Sequence, residues 1–215
     1  MHVHPFTGEI RPANGDEFAQ VSAKFARDWK KGTCPRVDYV FVVTNPTLKS
    51  RWNQYKQQLR NQTPEQYYHG TSLTCNIMSS QKLCANQSCG ICGISSDGLR
   101  RDFIRQNITF QRFGHGFYLA PHSSKCHDYT QGAYGYRAML LCDVYPGTKY
   151  PLQTNSQRLT GPPRGYDSVY GQVTTSSELN YPEIVLYDPR AVMPHYIILY
   201  RKDGIQHPLG ASPVI

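Results

Sequence analysis

Three short stretches of the chain hold polar residues in settings where chemistry is possible. His69 lies in Tyr67-Tyr68-His69-Gly70-Thr71, where an imidazole could hydrogen-bond a ligand or carry a proton. Gly114-His115-Gly116 has two of the three glycines of a dinucleotide fingerprint, but no following helix of the matching pattern. Glu183 lies in Tyr181-Pro182-Glu183-Ile184-Val185-Leu186-Tyr187, an acid that opens a strand reading as buried. A carboxylate buried alone is costly, so this one needs partners or a task. Taken singly, each has an ordinary structural explanation: a lone histidine is more often a satisfied structural residue than a catalytic one.

A fourth stretch concentrates sulfur. Cys75, Cys84, Cys89 and Cys92 follow the spacing C-x8-C-x4-C-x2-C. Four soft thiolates in a short Gly- and Ser-containing loop suit tetrahedral Zn2+ of the closed, structural kind. Cys89-Gly90-Ile91-Cys92 resembles half of a zinc ribbon or knuckle, while the first spacing is atypical. Unpaired reduced thiols, or disulfides in a secreted chain, are the alternatives. Cys34 and Cys142 read as small core residues.

The elements that must position these groups follow from periodicity. Residues 1–15, rich in Pro, Gly and His, read as an irregular lead-in, and residues 16–215 as one domain. From Asp16, Phe18, Val21, Phe25 and Trp29 recur at helical spacing, with Gly32 as the stop. Val37–Val43 reads as a strand, and Asn45-Pro46 opens a second helix with the apolar stripe Leu48, Trp52, Tyr55 and Leu59. Beyond Pro64, short apolar runs alternate with turn residues: Tyr67–His69, Gly116–Ala120, Ala138–Val144, Glu183–Tyr187 and His195–Tyr200. Residues 151–182 hold many turn formers and read as one long surface loop. Helices first and short strands after make an α+β order.

Composition narrows the function classes. With 39% hydrophobic and 18% charged residues the chain is globular. The net charge of +8 favours anionic partners such as a dinucleotide diphosphate, nucleic acid or an acidic protein surface. The basic residues are scattered rather than blocked, which suits solvated helix faces better than a nucleic-acid groove. No apolar run approaches the roughly 20 residues of a membrane span, so no membrane partner is expected. The first thirty residues lack the pattern of a signal peptide, and seven cysteines cannot pair completely. A reduced, intracellular protein, cytoplasmic or nuclear, is expected; a secreted chain trimmed of its signal would look the same.

The order of the motifs is more telling than any one of them. His69-Gly70-Thr71 is followed by Arg112-Phe113-Gly114-His115-Gly116-Phe117-Tyr118-Leu119-Ala120, then by Ser123-Ser124-Lys125-Cys126-His127-Asp128-Tyr129. Next come Gly165-Tyr166-Asp167-Ser168-Val169-Tyr170-Gly171 and the Glu183 segment. This succession resembles the catalytic domain of the poly(ADP-ribose) polymerases over residues 16–200. Residues 16–60 look like the entry of a fungal and plant subgroup, which also carries cysteines after His-Gly-Thr.

The resemblance implies an ADP-ribosyltransferase fold, with a split antiparallel sheet and N-terminal helices around an NAD+ cleft. It implies that His69 bonds a ribose hydroxyl of NAD+, that Gly70 grips the nicotinamide carboxamide and that Thr71 lies in the same donor segment. Tyr118 and Tyr129 would sandwich the nicotinamide ring, and Glu183 would bond the 2′-hydroxyl of the nicotinamide ribose. Cys126 stands where the family usually has a serine that binds the carboxamide, and a thiol is the weaker hydrogen-bonding group. The expected activity is NAD+-dependent transfer of ADP-ribose to a macromolecule. The acceptor would be a protein, the chain itself or nucleic acid. An NAD+ glycohydrolase using water, and a catalytically silent module that binds NAD+ or ADP-ribose, are the alternatives. A zinc-dependent nucleic-acid-binding protein would leave the Tyr118 and Glu183 contexts unexplained. No long regulatory helical region precedes residue 16, so autoinhibition of that kind is not expected.

Overall fold

The computed structural model describes residues 8–104 and 111–201. Two sheets form the body. The larger runs β1 (Glu9–Pro12), β2 (Arg36–Thr44), β9 (Val192–Arg201), β5 (Arg137–Val144), β3 (Glu65–Gly70), and every neighbouring pair is antiparallel. The smaller runs β4 (Phe117–Leu119), β8 (Glu183–Leu186), β7 (Ser168–Gly171), β6 (Lys149–Leu152). They meet where Tyr68 and Ala120 exchange backbone hydrogen bonds of 2.8 and 3.0 Å. The mixed α+β architecture with a split sheet matches the sequence-based expectation in outline. One detail does not: β6 and β7 pair in parallel, so the smaller sheet is mixed rather than wholly antiparallel.

The N-terminal helices form where their caps are strongest. α1 (Gly15–Arg27) opens on a reciprocal capping box, Asn14 Oδ1 accepting from Glu17 N and Glu17 accepting from Asn14 N, both at 2.9 Å. α2 (Pro46–Lys56) opens on Asn45, whose Oδ1 accepts from Leu48 N at 3.1 Å, with Pro46 next in line. These helices cover opposite faces of the larger sheet. Val21 and Phe25 of α1 pack with Ile198 and Tyr200, while Leu48, Trp52 and Tyr55 of α2 pack with Ile197 and Leu199. That explains the apolar run Tyr196–Tyr200 of β9: a stretch buried on both faces has no polar side to show.

The lead-in and the long loop need correction. Within the expected irregular residues 1–15, Glu9–Pro12 is an edge strand on β2, while residues 1–7 lie outside the described residues. Trp29 belongs to the apolar stripe but lies past the end of α1, which closes at Arg27. The expected surface loop 151–182 contains the end of β6 and the whole of β7. These strands are four residues long, too short for alternation to register. They are aligned by Asp167, which accepts from Thr148 N at 2.7 Å beside Gly147 at φ +59°. A side chain at Gly147 would collide with Asp167, so the turn requires glycine both for space and for its left-handed backbone.

Candidate active site

The residues singled out from the sequence converge on the junction of the two sheets. His69 is the penultimate residue of β3, and its Nδ1 lies 3.0 Å from the Tyr118 carbonyl. A carbonyl only accepts, so Nδ1 carries the proton and Nε2 keeps its lone pair. Burial lowers the His69 pKa from its ordinary 6.5, which holds the ring neutral. His69 is therefore set to accept a hydroxyl proton at Nε2.

Tyr118 sits on β4 opposite Val185 of β8, and Leu119 opposite Ile184. Facing residues of an antiparallel pair share a face, and every second residue along a strand returns to it. Tyr118, Val185 and Glu183 thus present side chains to the same side of the smaller sheet. The Tyr118 hydroxyl is already engaged: it accepts from Phe113 N at 2.9 Å and donates to Gly114 O at 2.8 Å. This pins the turn before β4 and leaves the ring face as what the residue can offer a ligand. Burial raises the phenol pKa well above its ordinary value, with Tyr187 and Glu183 adding to the rise.

Glu183 is 8% exposed at the first position of β8. Arg112 Nε lies 3.7 Å from Glu183 Oε1, and Lys125 is the other cation acting on it. Burial raises the Glu183 pKa above its ordinary 4.5, and Lys125 and then Arg112 oppose that rise. No described residue donates a side-chain hydrogen bond to its oxygens. A buried carboxylate with cations close by and its acceptor positions open can receive a hydroxyl. Arg112 and Lys125 both lie inside the sequence motifs, but nothing in their spacing marked them as neighbours of Glu183.

Gly70 is wedged against α5 (Ser123–His127) and the residues just after that helix. A Cβ there would lie 2.0 Å from the Cys126 carbonyl oxygen and 3.2 Å from Tyr129 Cβ. Only a residue without a side chain allows β3 this close to the segment that carries Tyr129. Tyr129 is 55% exposed, with Lys125 Nζ donating to its hydroxyl at 3.2 Å and lying 5.1 Å over its ring. The buried Cys126 thiol donates to the Tyr68 carbonyl at 3.0 Å, and burial pushes its pKa up to about 12. Thr71 places its hydroxyl against Gly90 rather than beside Gly70, and its carbonyl accepts from Gln131 N at 3.3 Å.

Gly90 begins α4 (Gly90–Asp97), a helix that the sequence read as loop because small residues give it almost no apolar stripe. α3 (Ile77–Ser80) precedes it. The sulfurs of Cys75, Cys84, Cys89 and Cys92 all lie within 4.8 Å of one another and could hold a metal ion. Cys75 is 3.8 Å from Cys89 and 3.6 Å from Cys92, sulfur to sulfur. A hydrogen bond from Cys92 lowers the Cys89 thiol pKa, while burial raises that of Cys75. The cluster is tied to the His69 segment: Ser72 O accepts from Ile91 N at 3.0 Å, and Ser72 Oγ accepts from Gly90 N at 3.1 Å. Leu73 N in turn donates to Gln131 O at 2.8 Å, so the same segment grips the chain just after Tyr129.

The family model described as the poly(ADP-ribose) polymerase catalytic domain matches residues 15–178, a stretch that includes His69, Tyr118 and Tyr129 and stops short of Glu183. The protein mono-ADP-ribosyltransferase PARP4 of Homo sapiens is 32% identical over 126 residues. That alignment covers 54% of this chain and 7% of the human protein, so the chain corresponds to a small part of that relative. The chain belongs to the poly(ADP-ribose) polymerase catalytic domain family.

Proposed function

We propose that this domain cleaves the nicotinamide–ribose bond of NAD+ and transfers ADP-ribose to a macromolecular acceptor. The observation that carries the reading is Glu183: a buried carboxylate, flanked by Arg112 and Lys125, whose oxygens accept no side-chain hydrogen bond from the described residues. Placed under the nicotinamide ribose, it would accept a hydrogen bond from the 2′-hydroxyl and, as an anion, stabilise the positive charge that builds on the ring carbon. Breaking the C1′–N bond returns the electron pair to the nicotinamide nitrogen, which leaves neutral. The acceptor atom then bonds to C1′ and gives up its proton to solvent through the open side of the site.

The other residues take supporting roles in this reading. Neutral His69 accepts from a ribose hydroxyl through Nε2. The ring faces of Tyr118 and Tyr129 hold the departing nicotinamide. Gly70 lets the backbone come close enough to meet the carboxamide. Cys126 spends its thiol proton on the Tyr68 carbonyl, which favours weaker nicotinamide binding than a serine would give. Thr71 supports the donor segment through Gly90 rather than by touching NAD+.

The four cysteines fit Zn2+. Zinc–sulfur bonds of about 2.3 Å in a tetrahedron set sulfurs about 3.8 Å apart, and the observed 3.6 and 3.8 Å separations are of that size. When bound there, zinc would cross-link α4 to the segment after His69. Cysteines held as zinc-bound thiolates or free thiols rather than disulfides suit a reducing, intracellular setting.

The acceptor is a protein, the chain itself or a nucleic acid, each compatible with a net charge of +8. The half-exposed Tyr129 keeps one side of the donor site open to solvent, and water in the acceptor's place would make the domain an NAD+ glycohydrolase. Incubation with NAD+ labelled in the ADP-ribose moiety, alone and with protein or RNA, separates the outcomes. Label in macromolecules supports transfer. Label confined to free ADP-ribose would replace it with hydrolysis.

A further inference from the structure

Arg112 is held more firmly than a surface arginine needs to be. Its carbonyl accepts from Ser156 N at 2.8 Å, and its Nη1 donates to Asn155 Oδ1 and, at 3.3 Å, to the Glu178 carbonyl. Those partners are themselves braced. Asn155 N donates to the Glu178 carboxylate at 2.9 Å, and Glu178 N donates to the Gln153 carbonyl at 3.0 Å. The chain on either side of β7 therefore forms a bracket around one guanidinium. From within that bracket Nε lies 3.7 Å from Glu183 Oε1.

The distance matters. At 3.7 Å the pair attracts strongly in a partly buried setting but lies outside hydrogen-bond range. A bidentate arginine would occupy the carboxylate oxygens and compete with any hydroxyl brought to them. Arg112 supplies the charge and leaves the acceptor positions open. Among the described residues, the groups facing Glu183 are Arg112 from the turn before β4, Tyr118 from β4, and Lys125 and Cys126 from α5. Tyr118 and Cys126 stay protonated and neutral, so the two cations are what oppose the cost of burial. Lys125 also serves the Tyr129 hydroxyl and sits on a long flexible stem, whereas Arg112 is fixed.

We propose that Arg112, anchored by Asn155 and the Glu178 carbonyl, is a positioning residue that aims the Glu183 carboxylate into the cleft and keeps it an anion. The inference rests on the transferase reading for its role in turnover, but the charge link stands on the geometry alone. It also gives the segment between β6 and β8 a function: to fix this guanidinium.

The test is a 13C NMR titration of the glutamate carboxyls, with Glu183 assigned by its loss in Glu183→Gln, run beside the pH profile of nicotinamide release. In Arg112→Gln the Glu183 resonance should titrate at higher pH than in the unaltered domain. The acid limb of kcat should move the same way, and kcat at neutral pH should fall roughly tenfold to a hundredfold with little change in the KM for NAD+. Arg112→Lys should restore the titration point and most of the rate. Arg112→Met, which keeps the packed stem, gives the same reading if the glutamine variant folds poorly. A Glu183 titration unmoved in a folded charge-removing variant would overturn the proposal, as would a rate loss with the acid limb in place. If the unaltered domain released no nicotinamide while the titration still shifted, the transferase reading would fall and the charge link would remain.

Discussion

Gly70→Ala offers a direct check on how the donor site is assembled. The new methyl carbon would stand 2.0 Å from the Cys126 carbonyl oxygen, 3.0 Å from its carbon and 3.2 Å from Tyr129 Cβ. To reach even a tight contact, β3 and the end of α5 must part by about an ångström. The carbonyl in the way is not loose, since it accepts from Asp128 N and, at 3.0 Å, from Tyr129 N. Overpacking of this kind costs roughly 1–3 kcal/mol, and in a domain of this size each kcal/mol lowers Tm by about 2–4 °C. Affinity for NAD+ should also fall, by at least about tenfold or about 1.4 kcal/mol, because the displaced atoms carry Tyr129 and the backbone meant to meet the carboxamide. Gly93→Ala is the control: a Cβ there meets nothing within 4 Å, and it lies inside α4, where alanine should stabilise by roughly 0.5–1 kcal/mol. Thermal melts with and without NAD+, and calorimetric titration of NAD+, read both effects. A Gly70→Ala domain with unaltered Tm and NAD+ affinity would refute the close approach of β3 to α5.

The remaining predictions concern the metal and pH. Purified under reducing conditions, the domain should carry about one zinc per chain, and chelation or Cys89→Ser should lower Tm sharply; metal content far below one equivalent would dispose of the zinc proposal. Replacing zinc by Co2+ should give the thiolate charge-transfer absorption of a four-sulfur site, which weakens if any one of the four cysteines is removed. His69 has a pKa below its ordinary 6.5, so the native state resists its protonation. Its contribution to stability and to NAD+ affinity should hold above pH 6.5 and decline only as pH falls below that value. An affinity that instead drops on raising the pH through 6.5 would mean that His69 acts as a cation, and His69→Ala with unchanged affinity would misplace the donor site altogether.

Much of the frame was legible because it rests on local chemistry. The helical spacing of Phe18, Val21 and Phe25 announces α1, and Asn45 with Pro46 opens α2, signals that need no tertiary partner. β9 and β5 were visible as long apolar runs. The strands β1, β6 and β7 were not: unlike the equally short β4 and β8, whose apolar residues stand out, they mix polar, Pro or Gly positions with few apolar ones and rely on a neighbour for their hydrogen bonds. α4 was hidden for a related reason: Gly90, Gly93, Ser95 and Ser96 favour no helix, and burial around Ile91 and Cys92 decides the matter. At the site, residue types and order named His69, Tyr118, Tyr129 and Glu183. What order could not convey was orientation. That Thr71 faces Gly90, that Cys126 turns its proton to Tyr68, and that Arg112 is pinned beside Glu183 all depend on contacts between segments far apart in the chain.

The measurement that bears most directly on the account is nicotinamide release from NAD+ by the purified domain and by its Glu183→Gln variant, with NAD+ binding followed in both. Loss of one preorganised electrostatic partner of the transition state typically costs about 10²–10³ in kcat. The account predicts that the variant binds NAD+ nearly as well as the unaltered domain and releases nicotinamide at least a hundredfold more slowly. Equal release by the two proteins, or no release by either with NAD+ bound, would contradict the central claim that Glu183 is the working carboxylate of this site.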